Sequence, residues 1–220
     1  MTRLKTAAAD LVVQYQTMLG YALLTFGSLF AIVDPFAAVP AFLAMTSRDT
    51  VAARRRMALV ASLTAGLVIL AFAFAGPWIF RLFGITLAAF QVAGGLILLL
   101  TALDMLRARR SPLQETEEET ECGAQKDDIA ITPLAIPMLA GPGAITTAIV
   151  LFSRAHGAGQ VAVLTACIAA VAALCYLILY MAASGTRWLT PIALNIITRL
   201  MGLLLSAIGV QFILTALKLG

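Results

Sequence analysis

Six stretches of this chain are long and apolar enough to cross a lipid bilayer, and little is left over for anything else. A helix needs about 20 mostly apolar residues to span the hydrocarbon core, and the runs 19–45, 58–80, 84–106, 132–152, 161–183 and 196–217 meet that length. The chain is 61% hydrophobic and 12% charged, against roughly 45–50% apolar in soluble domains. The expected class is therefore an all-α, polytopic membrane protein in contact with the lipid bilayer.

The charge pattern agrees with that class. Most of the acids (Glu115, Glu117, Glu118, Glu119, Glu121, Asp127, Asp128) crowd between Arg107 and Asp128, so residues 107–131 are expected to form a solvated polar linker. The net charge of +4 does not point to nucleic acid, because the bases sit at span ends, where positive-inside sorting explains them. Arg48, Arg54, Arg55, Arg56, Arg107, Arg109, Arg110, Lys126 and Arg187 fall on one side of the membrane and outnumber Arg3, Lys5, Arg81, Arg154 and Lys218 on the other. Both termini are thus expected on the non-cytoplasmic side. Asp10, Gln14 and Gln16 interrupt the N-terminal stretch, so the first span is expected to be retained rather than cleaved. Cys122, Cys167 and Cys175 form no CxxC pair and His156 is the lone histidine, so neither a metal nor another cofactor is expected.

Sliding the chain on itself by 107 positions aligns span with span throughout. Pro35, Ala37 and Ala41 fall on Pro142, Ala144 and Ala148; Ile85, Leu87, Gly95, Leu96 and Leu98 fall on Ile192, Leu194, Gly202, Leu203 and Leu205. The polar linker separates the copies, giving a first three-helix repeat at 1–106 and a second at 132–220. Three spans is an odd number, so the second copy enters the membrane from the opposite side, an inverted-topology repeat of the kind many secondary transporters use.

Both copies carry a helix breaker in mid-span. In "FAIVDPFAAVPAFLAMT", residues 30–46, Pro35 removes a backbone donor, Asp34 precedes a proline and is pushed from helical angles, and Pro40 weakens the ladder again. In "TPLAIPMLAGPGAITT", residues 132–147, Pro133, Pro137, Gly141, Pro142 and Gly143 predict a harder break. Helices 1 and 4 are therefore both expected to be broken. Unwound backbone at membrane depth persists only where protein or a water-filled cavity covers it, and paired breaks are the best sequence pointer to a substrate site. Each new half-helix presents N–H groups to an anion such as a carboxylate, while Asp34 can receive an ammonium group or carry a proton. The plain alternative is that prolines and glycines only kink transmembrane helices, which tolerate them readily.

Other residues are weaker candidates. Asp104 and Gln211 are repeat partners near span ends, Gln91 and Thr198 are partners in polar minorities of their helices, and Thr146 follows the second break. Gln91, Asp104, Thr146 and Gln211 could line a cavity, although buried amides more often tie helices together. Arg199 can snorkel to an interface. Gly94, Gly95, Gly202 and Gly209 are expected to let helices approach closely. No GxSxG or HExxH motif is present, so an intramembrane hydrolase lacks its equipment and the chain is not expected to be an enzyme.

The segments "DPFAAVPAFLAMT" (34–46) and "PLAIPMLAGPGAITTAIVL" (133–151) resemble the paired signatures of the MarC family of bacterial and archaeal inner-membrane proteins. The second is the more specific, and the resemblance covers nearly the whole chain. It implies an inner or plasma membrane location and paired broken segments at Pro35 and at Gly141, Pro142 and Gly143. Some members are similar to transporters of small neutral amino acids, with ion or proton coupling. The chain departs from the family's pattern at Asp34, where asparagine is usual, and at Ala37, where glycine is usual.

These readings lead to an expected secondary transporter, an exporter of a small neutral amino acid or similar metabolite, with Asp34, Pro35, Phe36, Gly141, Pro142 and Gly143 as its substrate site. A membrane scaffold or regulatory protein is the alternative and a channel a weaker one. Assembly as a homo-oligomer is left open.

Overall fold

A computed structural model describes residues 2–107, 130–185 and 191–219. The acidic linker from residue 108 onward, Cys122 and Arg187 lie outside the described residues. Every described element is helical: α1 (Thr2–Val33), α2 (Pro35–Met45), α3 (Val51–Phe83), α4 (Leu87–Leu106), α5 (Ala130–Leu139), α6 (Pro142–Ser153), α7 (Gly157–Ala183) and α8 (Pro191–Leu219).

Five apolar helical stretches are long enough to cross a membrane, Met18–Met45, Val51–Phe83, Leu87–Leu106, Gly157–Ala183 and Ala193–Leu217. The pair α5 and α6 makes a sixth if it is one span, bent by 60°. Both predicted breaks are present. The first interrupts a run that still reads as one span, whereas the second turns the chain sharply. The segment α5 is itself irregular: Thr132 (φ −133°, ψ 120°) and Ile136 (φ −131°, ψ 122°) are extended. Each stands immediately before a proline, whose ring disfavours the helical region for the residue ahead of it.

In lipid, helices gain little from burying apolar side chains against each other, so close approach of small residues carries the packing. A Cβ at Gly95 would lie 2.7 Å from the Gly209 carbonyl oxygen, and one at Gly209 would lie 2.9 Å from that of Gly95, so α4 and α8 pack backbone to backbone. Gly202 meets the Ala102 carbonyl further along the same seam. Across the molecule, Gly66 of α3 faces Ala172 of α7, and Gly76 faces Ile149 of α6. The leucines left outside, such as Leu63, Leu67, Leu200 and Leu203, are those a membrane would cover.

The buried centre joins the two halves of the chain. Leu29, Val39 and Phe42 from α1 and α2 share one core with Leu98 of α4, Leu134 and Leu139 of α5, Leu164 and Leu179 of α7 and Leu205 of α8. Polar cross-ties support it: the Tyr21 hydroxyl donates to the Leu151 carbonyl at 3.2 Å, and the Arg55 guanidinium donates to Ser184 Oγ at 3.0 Å.

Candidate functional site

At the first break Asp34 adopts a left-handed conformation (φ 39°, ψ 72°). No other described residue except glycine has a positive φ. Aspartate tolerates this region better than most residues, because its short polar side chain can bond locally. Here Oδ1 accepts from the Ala37 amide at 3.4 Å, so Asp34 caps the helix that begins at Pro35. The backbone of α1 runs up to this point, with the Asp34 amide donating to the Phe30 carbonyl at 3.1 Å. The side chain is only 2% exposed, and its Oδ2 has no partner among the described residues. Pro35 is buried, and Phe36 is half-buried, edge-on to Phe30 at 6.2 Å.

At the second break Gly141 stands ahead of Pro142 in an extended conformation (φ −75°, ψ 170°) with no side-chain cap. The amides of the first turn of α6, at Gly143 and Ala144, thus begin a half-helix whose positive end receives no side-chain cap. Gly141 is required sterically, since a Cβ there would lie 2.8 Å from the Pro137 carbonyl oxygen.

The fold brings the two breaks together. Gly143 packs against Ile32, two residues ahead of Asp34, and against Leu98 of α4. Around this meeting point Ile32, Leu98, Thr101, Gly141, Gly143 and Leu205 line a cavity of about 10 Å³, room for about one water. On the other side of the first break, Leu29, Val33, Ser62 and Cys175 line a second narrow cleft. The buried Ser62 hydroxyl has no partner among the described residues.

The remaining candidates divide into two groups. Thr146 is buried one turn into α6, donates to the Pro142 carbonyl at 2.8 Å and packs its methyl on Gly94. Gln91, one turn before Gly94 on α4, is fully buried, and among the described residues neither amide atom has a partner. Thr146 stands beside the second break, while Gln91 lies seven residues before Leu98, about 10 Å along α4. Asp104 follows cavity-lining Thr101 by three residues, about 4.5 Å along α4, whereas Gln211 is six residues beyond Leu205, about 9 Å along α8. Gln211 is exposed and donates to Thr215 Oγ1 at 3.0 Å.

Sequence reasoning passed over Ser62, Thr147 and Cys175, all buried near the breaks or beside their helices, the first two with unpartnered hydroxyls. Ser62 shares a small-residue stripe with Ala58, Ala65 and Gly66, a pattern that reads as helix packing alone. Cys167 and Cys175 are free thiols. Among the described residues no group of three or more histidines, cysteines or acids could hold a metal ion.

A family model for MarC family integral membrane proteins matches residues 19–219. The UPF0056 membrane protein YhcE of Escherichia coli (strain K12) is 37% identical over 88% of this chain and 90% of its own length. A UPF0056 membrane protein of Methanocaldococcus jannaschii is 38% identical over 91% of this chain and 97% of its own length. The UPF0056 membrane protein YvbG of Bacillus subtilis (strain 168) is 38% identical over 91% of this chain and 96% of its own length. No solved structure matches.

Proposed function

Since the chain belongs to the MarC family of integral membrane proteins, we propose that it is a secondary transporter of small neutral amino acids or similar small metabolites, working as an exporter. The observation that carries this reading is the meeting of two mid-span breaks, Gly143 against Ile32, with an uncapped half-helix end on one side and, on the other, a buried aspartate whose Oδ2 has no partner among the described residues. A zwitterion presents the matching pair of charges. Its carboxylate suits the amides of Gly143 and Ala144, and its ammonium, or a coupled proton, suits Asp34. No bond of the substrate is made or broken.

Two contacts support an inverted-repeat organisation. With an offset of 107, the pair Gly95 and Gly209 maps onto Gly202 and Ala102, and both pairs are in close contact. Repeat-partner helices α4 and α8 thus pack antiparallel about a local pseudo-two-fold axis. Alternating access then follows from one repeat rocking on the other, with the site at their junction. A cavity of about 10 Å³ cannot hold even a glycine, so loading requires the breaks to part. In this scheme both termini lie outside the cytoplasm, a reading supported by the excess of basic residues on the other side.

A scaffold or regulatory role is the second reading, and one observation favours it: Asp34 already caps its own helix, as a purely structural residue would. A channel would need an open conduit where the breaks now touch. The deciding experiment is counterflow of radiolabelled alanine and glycine in proteoliposomes, comparing the native chain with Asp34→Asn under an imposed pH gradient. Saturable uptake that loses its pH response in Asp34→Asn is the expected result. Absence of saturable uptake of either amino acid overturns this substrate assignment in favour of the scaffold.

A further inference from the structure

A lipid-facing groove runs between α3 and α7, well away from the junction of α4 and α8. On α3 its wall is Leu59, Leu63 and Leu67; on α7 it includes Ala169, Ala173 and Tyr176. The volume is about 340 Å³. Its floor is shallow because the helices touch there: a Cβ at Gly66 would stand 2.9 Å from that of Ala172. The leucines of the rim are 41%, 55% and 64% exposed, in chain order, so no part of the described chain covers the groove.

The groove is crowned by cationic side chains. Spacings of three and four residues continue the α3 wall from Leu59 back to Arg56 and Arg55, and the α7 wall from Tyr176 forward to Tyr180. Arg55 lies with its guanidinium carbon 4.5 Å from the centre of the Tyr180 ring, and its Nε and Nη2 donate to the neutral Ser184 hydroxyl at 3.3 and 3.0 Å. Arg54 donates to the carbonyls of Thr46 and Ser47, and Arg56 is exposed. Among the described residues none of the three arginines is paired with an acid.

We propose that this groove binds an anionic glycerophospholipid, with an acyl chain between α3 and α7 and its phosphate on Arg55 and Arg56. The two features need each other. An acyl chain gains little by leaving bulk lipid for an apolar groove, so residence depends on the headgroup. Basic side chains just beyond a membrane span attract anionic headgroups, and the guanidinium fork matches phosphate oxygens. The site does not depend on the transport reading. Its floor residues Ser62, Gly66, Ile168 and Ala172 also form one wall of the cleft that reaches Val33 and Cys175. A bound lipid would therefore brace the wall beside the first break.

The test is native mass spectrometry of the purified, delipidated full chain with dioleoylphosphatidylglycerol or dioleoylphosphatidylcholine, which carry the same acyl chains. The anionic lipid should be retained about tenfold more strongly, given two basic side chains near the headgroup. Arg55→Gln with Arg56→Gln should reduce that preference to about twofold or less. Ala173→Phe, which fills the groove from a lipid-facing position, should weaken both lipids. If the double variant is not recovered, Arg56→Gln alone, at an exposed side chain, should still lower the preference. Equal retention of the two lipids by the native chain overturns the proposal, as does an unchanged preference in the arginine variants. A dimer of the native chain that Ala173→Phe splits would assign the groove to a second copy and also overturn it.

Discussion

The two breaks occupy corresponding positions in the two halves, yet they are built differently. The first is made by one residue, Asp34, which takes a left-handed conformation and closes its own helix end with its own carboxylate. The second is made by backbone alone, through two pre-proline residues in extended conformation and an uncapped Gly141, and it turns the chain by 60°. One break therefore carries an acidic side chain that caps its own helix end, and the other has an uncapped helix end and no ionisable side chain. A symmetric pair would present the same chemistry twice; this pair presents two different chemistries, which is what the proposed zwitterion site calls for.

The largest effect is expected from attacking the second break's dependence on backbone. Gly141→Ala places a methyl 2.8 Å from the Pro137 carbonyl, which is main chain and cannot rotate away. The cost should be on the order of 3 kcal/mol, the upper end for overpacking a filled site. Gly143→Ala meets Leu98 Cδ2 at 2.6 Å, the far end of a flexible side chain, and should cost about 1 kcal/mol. Thermal unfolding in detergent, read by circular dichroism, would rank them. The reverse order would mean that the Pro137 turn gives way more easily than the Leu98 contact.

The first break can be taken apart by side-chain chemistry. Asp34→Ala loses both the cap and the local bonding that offsets the left-handed conformation, roughly 1 kcal/mol for each. Asp34→Asn keeps both and should change stability by less than about 0.5 kcal/mol. Asp34→Gly restores conformational freedom without a cap and should cost only a few tenths of a kcal/mol. Urea or thermal unfolding of the three variants gives the order. If alanine is tolerated as well as asparagine, the left-handed cap is not what holds this break.

Much of the scaffold was legible because the physics that sets it is local. Apolar length marks a span whatever surrounds it, and proline acts on its own residue and the one before, so the positions of both breaks could be read directly. The close approach of Gly95, Gly202 and Gly209 followed from the same small-residue rule. The side-chain chemistry of the breaks was less accessible. Asp34 was expected to face a ligand, and nothing in "VDPFAA" tells whether a carboxylate turns to a neighbouring helix or back to the amide three residues on. Ser62, Thr147 and Cys175 were missed because burial beside a break depends on which faces of α3, α6 and α7 turn inward, and helices apolar all round carry little record of that. Asp104 and Gln211 share the offset of 107 with each other, yet Asp104 is one turn from cavity-lining Thr101 and Gln211 six residues from Leu205, since a repeat fixes equivalence and not proximity.

The one stabilising effect expected concerns where the second break obtains polar partners, having no charged side chain of its own. Gln91 is fully buried with neither amide atom bonded within the described chain, and it sits one turn from Gly94, which packs on Thr146 of the half-helix. An amide held in that state costs stability, so Gln91→Met, similar in length and apolar, should raise the unfolding free energy by about 1 kcal/mol. If Gln91 serves only as packing, uptake in proteoliposomes should be unchanged or slightly better in the stabilised variant. If the amide meets substrate when the breaks part, uptake should fall while stability rises, and that divergence would place the polar complement of the second break on α4. A loss of both together would mean that the amide is bonded in the folded protein, and the contrast between a self-capped first break and a second break completed by its neighbour would no longer hold.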